Sequence, residues 1–141
     1  RWVEPLAQVL KQLGSRHVMV VHGADGLDEI TISGVTQVAE LKNGEVTTYT
    51  ITPAQFGMAE APLDALVVES AEQSLEVVKG VLENRGGAAG DIVVLNAGAA
   101  IYVAGLADSL EAGVEQAATL IRSGEARSKL DDLVRCSQQQ T

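Results

Sequence analysis

Aromatic residues and cysteine are both scarce in this chain of 141 residues. Because aromatic residues make up only 3% of the sequence, the core must be built from Val, Leu, Ile and Ala. The single cysteine, Cys136, excludes a disulfide within the chain, which suits a reducing compartment such as the cytosol. Cys136 falls on a predicted surface helix with no His nearby, so we interpret it as inert rather than as a nucleophile.

Basic residues are also few, with 10 Lys and Arg against 19 Asp and Glu, for a net charge of −9. They are scattered along the chain rather than clustered. Since Lys and Arg that neutralise phosphates dominate nucleic-acid binding, this composition argues against a nucleic-acid interface. An acidic protein can still bind an anionic substrate when a divalent cation lies between them.

Long hydrophobic runs are missing as well. The longest, Ile92 to Ala107, is interrupted by Asn96 and falls short of the roughly 20 residues that span a bilayer. No signal peptide is visible, so we expect no membrane segment. The chain begins at Arg1, in what looks like the first turn of a helix, and we expect it to be a fragment of a longer protein.

The spacing of apolar residues predicts a helix, a strand, a hairpin and then further helices. The first helix covers residues 3–13 and ends at Gly14. The strand His17–Val21 is apolar without alternation, which favours a parallel sheet covered on both faces. Because one strand is not a sheet, we expect its neighbours in a missing N-terminal part. Asn43-Gly44, between runs 35–41 and 45–51, predicts an antiparallel hairpin.

Helices are predicted after the hairpin. Ser70 caps the first of these. Residues 91–104 fit a buried strand or a buried helix, and their length favours a helix with Asp91 as its N-cap. A helix follows Ser109, and a last helix covers roughly 126–137. The expected buried residues of the helix after Ser70 and of the last helix are Ala71, Leu75, Val78, Leu82, Leu130, Leu133 and Val134.

The best candidate site is the acidic loop that follows the strand. Val18–Val21 runs into a short segment with the three carboxylates Asp25, Asp28 and Glu29. Open α/β sheets bind ligands where such strands end, and crowded carboxylates repel unless a cation or hydrogen bonds offset them. Two interpretations stay open here: a solvated turn whose carboxylates cap a following helix, or a Mg²⁺ site with one oxygen from each of Asp28 and Glu29.

Three further features, two histidines and a glycine-rich stretch, also have structural or functional interpretations. His22, at its end, could act as a general base or ligand, although a histidine there is more often a hydrogen-bonded structural residue. His17, at its start, is interpreted as structural. The glycine-rich stretch 86–90 lacks the Lys-Ser/Thr of a phosphate loop and follows a helix, so we interpret it as a connector.

Four stretches carry a family resemblance. RWVEPLAQVLKQLG, VHGADGLDE, DIVVLNAGAAIYVAG and SLEAGVEQAATLIRSGEA resemble, in this order, the anthranilate phosphoribosyltransferase family. The resemblance covers essentially the whole chain. It implies an α/β fold, the C-terminal part of a nucleoside-phosphorylase/phosphoribosyltransferase-type domain, with a mixed sheet wrapped by helices.

The resemblance also implies a reaction. The family transfers the phosphoribosyl group of phosphoribosyl pyrophosphate to anthranilate in tryptophan biosynthesis and releases pyrophosphate, with Mg²⁺ neutralising the leaving group. Its metal-binding Asp-Glu pair falls on Asp28 and Glu29, while Asp25 receives no role. The resemblance further implies a cytoplasmic homodimer with neither nucleic acid nor membrane as a partner.

The family's other functional parts do not occur in this sequence. These are the Gly-Thr-Gly-Gly-Asp pyrophosphate loop, the residues that bind anthranilate, and the helical domain that forms the dimer. We therefore expect residues 1–141 to be the C-terminal portion of the catalytic domain, with half a metal site and no activity alone. Two alternatives stay open: a nucleic-acid-binding relative, disfavoured by the charge, and a pyrimidine nucleoside phosphorylase.

Overall fold

The computed structural model describes residues 2–139. The helical turn expected at Arg1 lies outside these residues, as do Gln140 and Thr141. The elements are α1 Val3–Gln12, β1 Val18–Gly23, β2 Thr36–Lys42, β3 Glu45–Ile51, α2 Ala71–Leu82, α3 Ala88–Val103, α4 Leu110–Arg122 and α5 Glu125–Gln138. Two short 3₁₀ turns, Pro53–Phe56 and Leu63–Leu66, lie in the connection between β3 and α2.

The three strands form one antiparallel sheet in the order β1-β2-β3. Val18 lies opposite Leu41, and Gly23 lies opposite Thr36. The expectation that the neighbours of β1 are parallel strands outside this chain is therefore wrong for the edge that pairs with β2. The apolar run of β1 has another cause, because α1 packs on one of its faces while Met19 and Val21 face the main core.

The hairpin between β2 and β3 turns at Asn43 and Gly44. Lys42 pairs with Glu45, so Asn43 and Gly44 alone connect the strands. Their φ angles are 52° and 81°, the left-handed values that a two-residue hairpin connection requires. The turn sets the register of the whole hairpin, from Lys42 to Thr36, which lies opposite Ile51.

The sheet is covered on both faces. Ala39 and Leu41 are buried on the face of β2 that α1 covers, together with the fully buried Ala7. Since side chains alternate along a strand, Val38 and Glu40 point to the other face, where Val38 joins a core built from the sheet, α3 and α4. Among residues 2–139, no helix has the length and apolar character needed to cross a bilayer.

Helix α3 is the central helix of this core and confirms the helical interpretation of residues 91–104. It begins at Ala88 with Gly87 as its N-cap, so the expectation that Asp91 is the N-cap is wrong, and Asp91 lies in the first turn. Residues Gly86 and Gly87 connect α2 to α3 with φ angles of 73° and 86°. The helix therefore begins about one turn earlier than an N-cap at Asp91 would place it.

Helices α2 and α5 are less buried than their apolar spacing predicts. On α2 the structure buries Val81, whereas Leu75 and Val78 remain 49% and 44% exposed. On α5 no residue is buried, and Leu133 is 64% exposed. The spacing correctly identifies an apolar face on each helix, but it does not identify what covers that face.

Candidate metal centre at the end of strand β1

The acidic loop lies where β1 ends and folds back on the strand. The backbone N–H of Gly23 donates to the carbonyl of Leu27 at 2.8 Å. The N–H of Ala24 donates to the carbonyl of Val35, also at 2.8 Å. These two bonds close the connection between β1 and β2 into a compact loop, in which the predicted carboxylates are held close to the sheet edge.

Asp25 holds this loop together. Its Oδ1 accepts the Leu27 N–H at 3.0 Å, and its Oδ2 accepts the Thr31 hydroxyl at 2.5 Å and the Ser33 hydroxyl. Burial raises the pKa of the Asp25 carboxyl, but the bonds from Ser33, Thr31 and Leu27 outweigh it and hold the pKa below its usual value. Because both oxygens already accept hydrogen bonds, Asp25 has a structural role.

Gly23 is needed for this arrangement. A Cβ at this position would collide with the Asp25 carboxylate and would lie 3.2 Å from the Cβ of Thr31. The strand must therefore end on a residue without a side chain for the Asp25 carboxylate to reach its partners.

Asp28 and Glu29 differ from Asp25 in their hydrogen bonding. Both are exposed, and within residues 2–139 the structure gives neither carboxylate a hydrogen-bond or ion-pair partner. The element that follows is β2 rather than a helix, so they cap no helix N-terminus. The expectation that they cap a following helix is therefore wrong. What the structure shows at this point is two adjacent, exposed carboxylates.

The residue that follows this pair is anchored by a distant side chain that sequence reasoning missed. The N–H of Ile30 donates to Oδ1 of Asn96 at 2.9 Å, and Nδ2 of Asn96 donates back to the Ile30 carbonyl at 2.9 Å. Nδ2 also donates to the Ile92 carbonyl on α3 at 3.0 Å. The only signal in the sequence was the single amide side chain interrupting an apolar run.

His22 and Asp28 line one pocket of about 270 Å³ beside α1. The other residues around it are Trp2, Val3, Leu6, Val20 and Val21. Within residues 2–139 the structure shows no hydrogen bond from the His22 ring, so the expectation of a hydrogen-bonded structural histidine is not met there. The pocket places an imidazole near one of the two free carboxylates.

Asp28 and Glu29 fit Mg²⁺ better than a metal that needs an all-protein cage. Within the described part of the chain, no group of three or more His, Cys, Asp and Glu could hold a metal ion. Mg²⁺ commonly takes one or two carboxylates and keeps water or substrate phosphates as its other ligands. Two exposed neighbouring carboxylates could supply part of such a site, with water or a phosphorylated ligand as the other ligands.

A second polar cluster, also missed by sequence reasoning, lies under α3. Glu40 is 8% exposed and accepts hydrogen bonds from Tyr102 at 2.7 Å, from Tyr49 at 2.8 Å and from His17 at 2.9 Å. This confirms the structural interpretation of His17. Burial raises the pKa of Glu40, but the bonds from Tyr102, Tyr49 and His17 outweigh it and lower the pKa below its usual value.

Comparison with known proteins agrees with the α/β architecture described above. The family model described as "Glycosyl transferase family, a/b domain" matches residues 1–127. This match covers most of the chain, so the chain belongs to that family.

Its relatives within the family are anthranilate phosphoribosyltransferases. The enzyme from Methylococcus capsulatus is 56% identical over 138 residues, which are 98% of this chain and 40% of the relative. The enzyme from Thioalkalivibrio sulfidiphilus is 57% identical over 134 residues, 95% of this chain and 40% of the relative. The chain therefore spans about 40% of the length of these relatives.

Solved structures give the same result. The Thermus thermophilus anthranilate phosphoribosyltransferase matches with a TM-score of 0.85 and 36% identity, over 95% of this chain and 39% of that one. A Saccharomyces cerevisiae anthranilate phosphoribosyltransferase in complex with PRPP and Mg matches with a TM-score of 0.72 over 82% of this chain and 33% of that one. At 21% identity, the yeast likeness concerns the fold alone.

Proposed function

We propose that these residues form the C-terminal portion of the catalytic domain of an anthranilate phosphoribosyltransferase. The complete protein would transfer the phosphoribosyl group of phosphoribosyl pyrophosphate to the amino group of anthranilate and release pyrophosphate. The support is the identity of 56% to one such enzyme along nearly the whole chain. The observation that carries the chemistry is the exposed pair Asp28 and Glu29, whose carboxylates have no hydrogen-bond or ion-pair partner within residues 2–139.

In this proposal Asp28 and Glu29 hold Mg²⁺, which when bound neutralises the charge that develops on the departing pyrophosphate. Asp25 keeps the loop folded through Leu27, Thr31 and Ser33. The yeast structure that contains PRPP and Mg has this fold, which is consistent with Mg²⁺ as the ion. In this proposal the chain itself contributes the two carboxylates and the folded loop that carries them.

The remaining parts of the proposal concern the complete protein. The relatives are more than twice as long as this chain, so the pyrophosphate loop and the anthranilate site would be contributed by the rest of the protein. By the same resemblance, the complete protein would be a cytoplasmic homodimer with Mg²⁺ as its cofactor. The 141 residues alone would then catalyse no transfer.

The alternatives have less support. The relatives reported above are all transferases that act on anthranilate by name, and none is a nucleoside phosphorylase or a nucleic-acid-binding protein. The net charge of −9 further disfavours nucleic acid as a ligand.

A chimera tests the proposal directly. In it, this chain replaces the matching 40% of the Methylococcus capsulatus enzyme. With phosphoribosyl pyrophosphate and Mg²⁺, we expect the chimera to consume anthranilate and the 141-residue chain alone to consume none.

The same two proteins are assayed with thymidine and phosphate and are titrated with labelled single-stranded DNA. If the chimera cleaved thymidine and consumed no anthranilate, the proposal would be wrong and the pyrimidine nucleoside phosphorylase would take its place. Transfer to anthranilate by the isolated chain would contradict the expectation that it lacks the substrate-binding parts.

A further inference from the structure

The segment that carries the two free carboxylates is anchored on both sides through the backbone. On the N-terminal side, Leu27 donates its N–H to Asp25 at 3.0 Å and accepts at its carbonyl from Gly23 at 2.8 Å. On the C-terminal side, Ile30 donates its N–H to Asn96 and accepts at its carbonyl from the same amide, both at 2.9 Å. Every backbone polar group of the two flanking residues is therefore used.

The two anchors differ in origin. The Asp25 anchor is local, whereas Asn96 is 66 residues away from Ile30 and stands on α3. Ile30 is 2% exposed, so breaking this contact leaves a buried N–H and a buried carbonyl without partners. Such groups cost free energy to leave unpaired, and the contact therefore fixes where the carboxylate segment leaves the core.

Helix α3 is itself rigidly placed. A Cβ at Gly98 would lie 2.5 Å from Cα of Val114, so α3 and α4 approach backbone to backbone at this point. Asn96 lies two residues before Gly98 on the same helix. Its Nδ2 is also bound to the Ile92 carbonyl at 3.0 Å, which fixes the orientation of the amide.

From this geometry we propose that Asn96 is a positioning residue for cation binding by Asp28 and Glu29. It does not touch the ion. It holds the backbone that directs the two carboxylates, in the way that partners of metal ligands orient those ligands. The inference rests on the proposed function, because it takes the carboxylate pair as the Mg²⁺ ligands.

The test uses Mn²⁺ as a paramagnetic stand-in for Mg²⁺ on the ¹⁵N-labelled 141-residue chain. The readout is the Mn²⁺ concentration that half-broadens the amide signals of Asp28 and Glu29. The exposed carboxylates Glu111 and Glu115 on α4 serve as the internal reference for nonspecific binding. Hydrogen exchange of the Ile30 amide reports the anchor separately.

Asn96→Ala should speed exchange of the Ile30 amide and raise the Mn²⁺ midpoint about 10-fold, the lower end of what such partners contribute. Asn96→Gln keeps both polar groups but moves them by one methylene, so it should also raise the Mn²⁺ midpoint. It serves as the test variant if Asn96→Ala does not fold. Ala100→Gly is the matched control, since it weakens α3 at an exposed position without removing the Asn96 amide, and it should leave the midpoint unchanged.

Three results would contradict the inference, and they are distinguishable. If Asp28 and Glu29 broaden no more than the reference carboxylates in the unmodified chain, the proposed metal site itself fails. If they broaden but both Asn96 variants keep the same midpoint, the metal site stands and the role of Asn96 is wrong. If Ala100→Gly shifts the midpoint equally, the effect belongs to helix stability.

Discussion

At the scale of single residues, the molecule separates carboxylates that support structure from carboxylates that are free. Asp25 and Glu40 each accept several hydrogen bonds, and in each case these bonds overcome burial and lower the pKa. Asp28 and Glu29 are exposed and accept none within residues 2–139. Sequence position alone did not separate them, because Asp25 and Asp28 lie in the same short loop and differ only in what their side chains reach.

Glu40→Gln tests the structural role of the buried carboxylate. Tyr102 and Tyr49 donate to different oxygens of Glu40, and Gln keeps only one acceptor oxygen. The variant therefore loses at least one of these bonds together with the negative charge, and we expect about 1–3 kcal/mol lower free energy of unfolding at pH 7. Urea denaturation of both proteins measures this difference. Glu45→Gln, an exposed position on β3, is the matched control and should change the free energy little.

The same variant predicts a pH dependence. The pKa of Glu40 is lower in the folded chain than the ordinary value of 4.5. The ionised carboxylate therefore makes its full contribution to the free energy of unfolding at pH values above 4.5. The contribution is lost as the pH falls through the lower folded pKa. The stability difference between the parent chain and Glu40→Gln should therefore narrow in acid. A difference that stays constant from neutral to acidic pH would contradict this assignment.

At the scale of elements, helix α3 makes a close contact with α4 and also carries Asn96, which binds the backbone next to the candidate site. Gly98 and Gly113 face each other there, with no room for a side chain. Asn96 lies on the same helix as this contact, so a displacement of α3 would move the anchor of Ile30.

A pair of glycine substitutions on α3 tests this contact. Gly98→Ala places a Cβ 2.5 Å from Val114 Cα and should lower the free energy of unfolding by about 1–3 kcal/mol. Gly90→Ala, with no atom within 4 Å, should instead raise it by about 0.5–1 kcal/mol through helix propensity. Thermal denaturation of both variants checks the opposite signs. Equal stabilisation by the two substitutions would show that the helices are not in contact at Gly98.

The same elements show how much the sequence could predict. The turn Asn43-Gly44, the caps Ser70 and Ser109 and the helical length of residues 91–104 are local properties, and the structure contains each of them. Each cap serine accepts the expected backbone N–H at 3.2 Å.

Pairing and burial depend instead on contacts between distant residues. The antiparallel partner of β1 and the anchor from Asn96 to Ile30 therefore could not be predicted from local patterns. For the candidate site, the assignment of Asp28 and Glu29 as metal-binding carboxylates stays a prediction. The sequence did not predict that Asn96 would bind the backbone of the neighbouring Ile30.

At the scale of the whole molecule, this chain has the fold of part of a longer enzyme. It belongs to the glycosyl transferase family and spans about 40% of the length of the relatives that it matches. Several apolar side chains on α1 or directly next to it are exposed, including Trp2 at 64%, Leu6 at 50% and Leu13 at 76%. The proposed reaction would use parts of the relatives that this chain does not match.

We propose that Asp28 and Glu29 bind the Mg²⁺ that assists phosphoribosyl transfer in the complete protein. The most direct measurement is a Mg²⁺ titration of anthranilate consumption by the chimera described above, with and without the paired substitutions Asp28→Asn and Glu29→Gln. Both substitutions keep side-chain size and remove charge at exposed positions, so the fold should persist. We predict that the paired variant needs at least about 10-fold more Mg²⁺ or loses turnover. An unchanged Mg²⁺ requirement and an unchanged rate would contradict the claim.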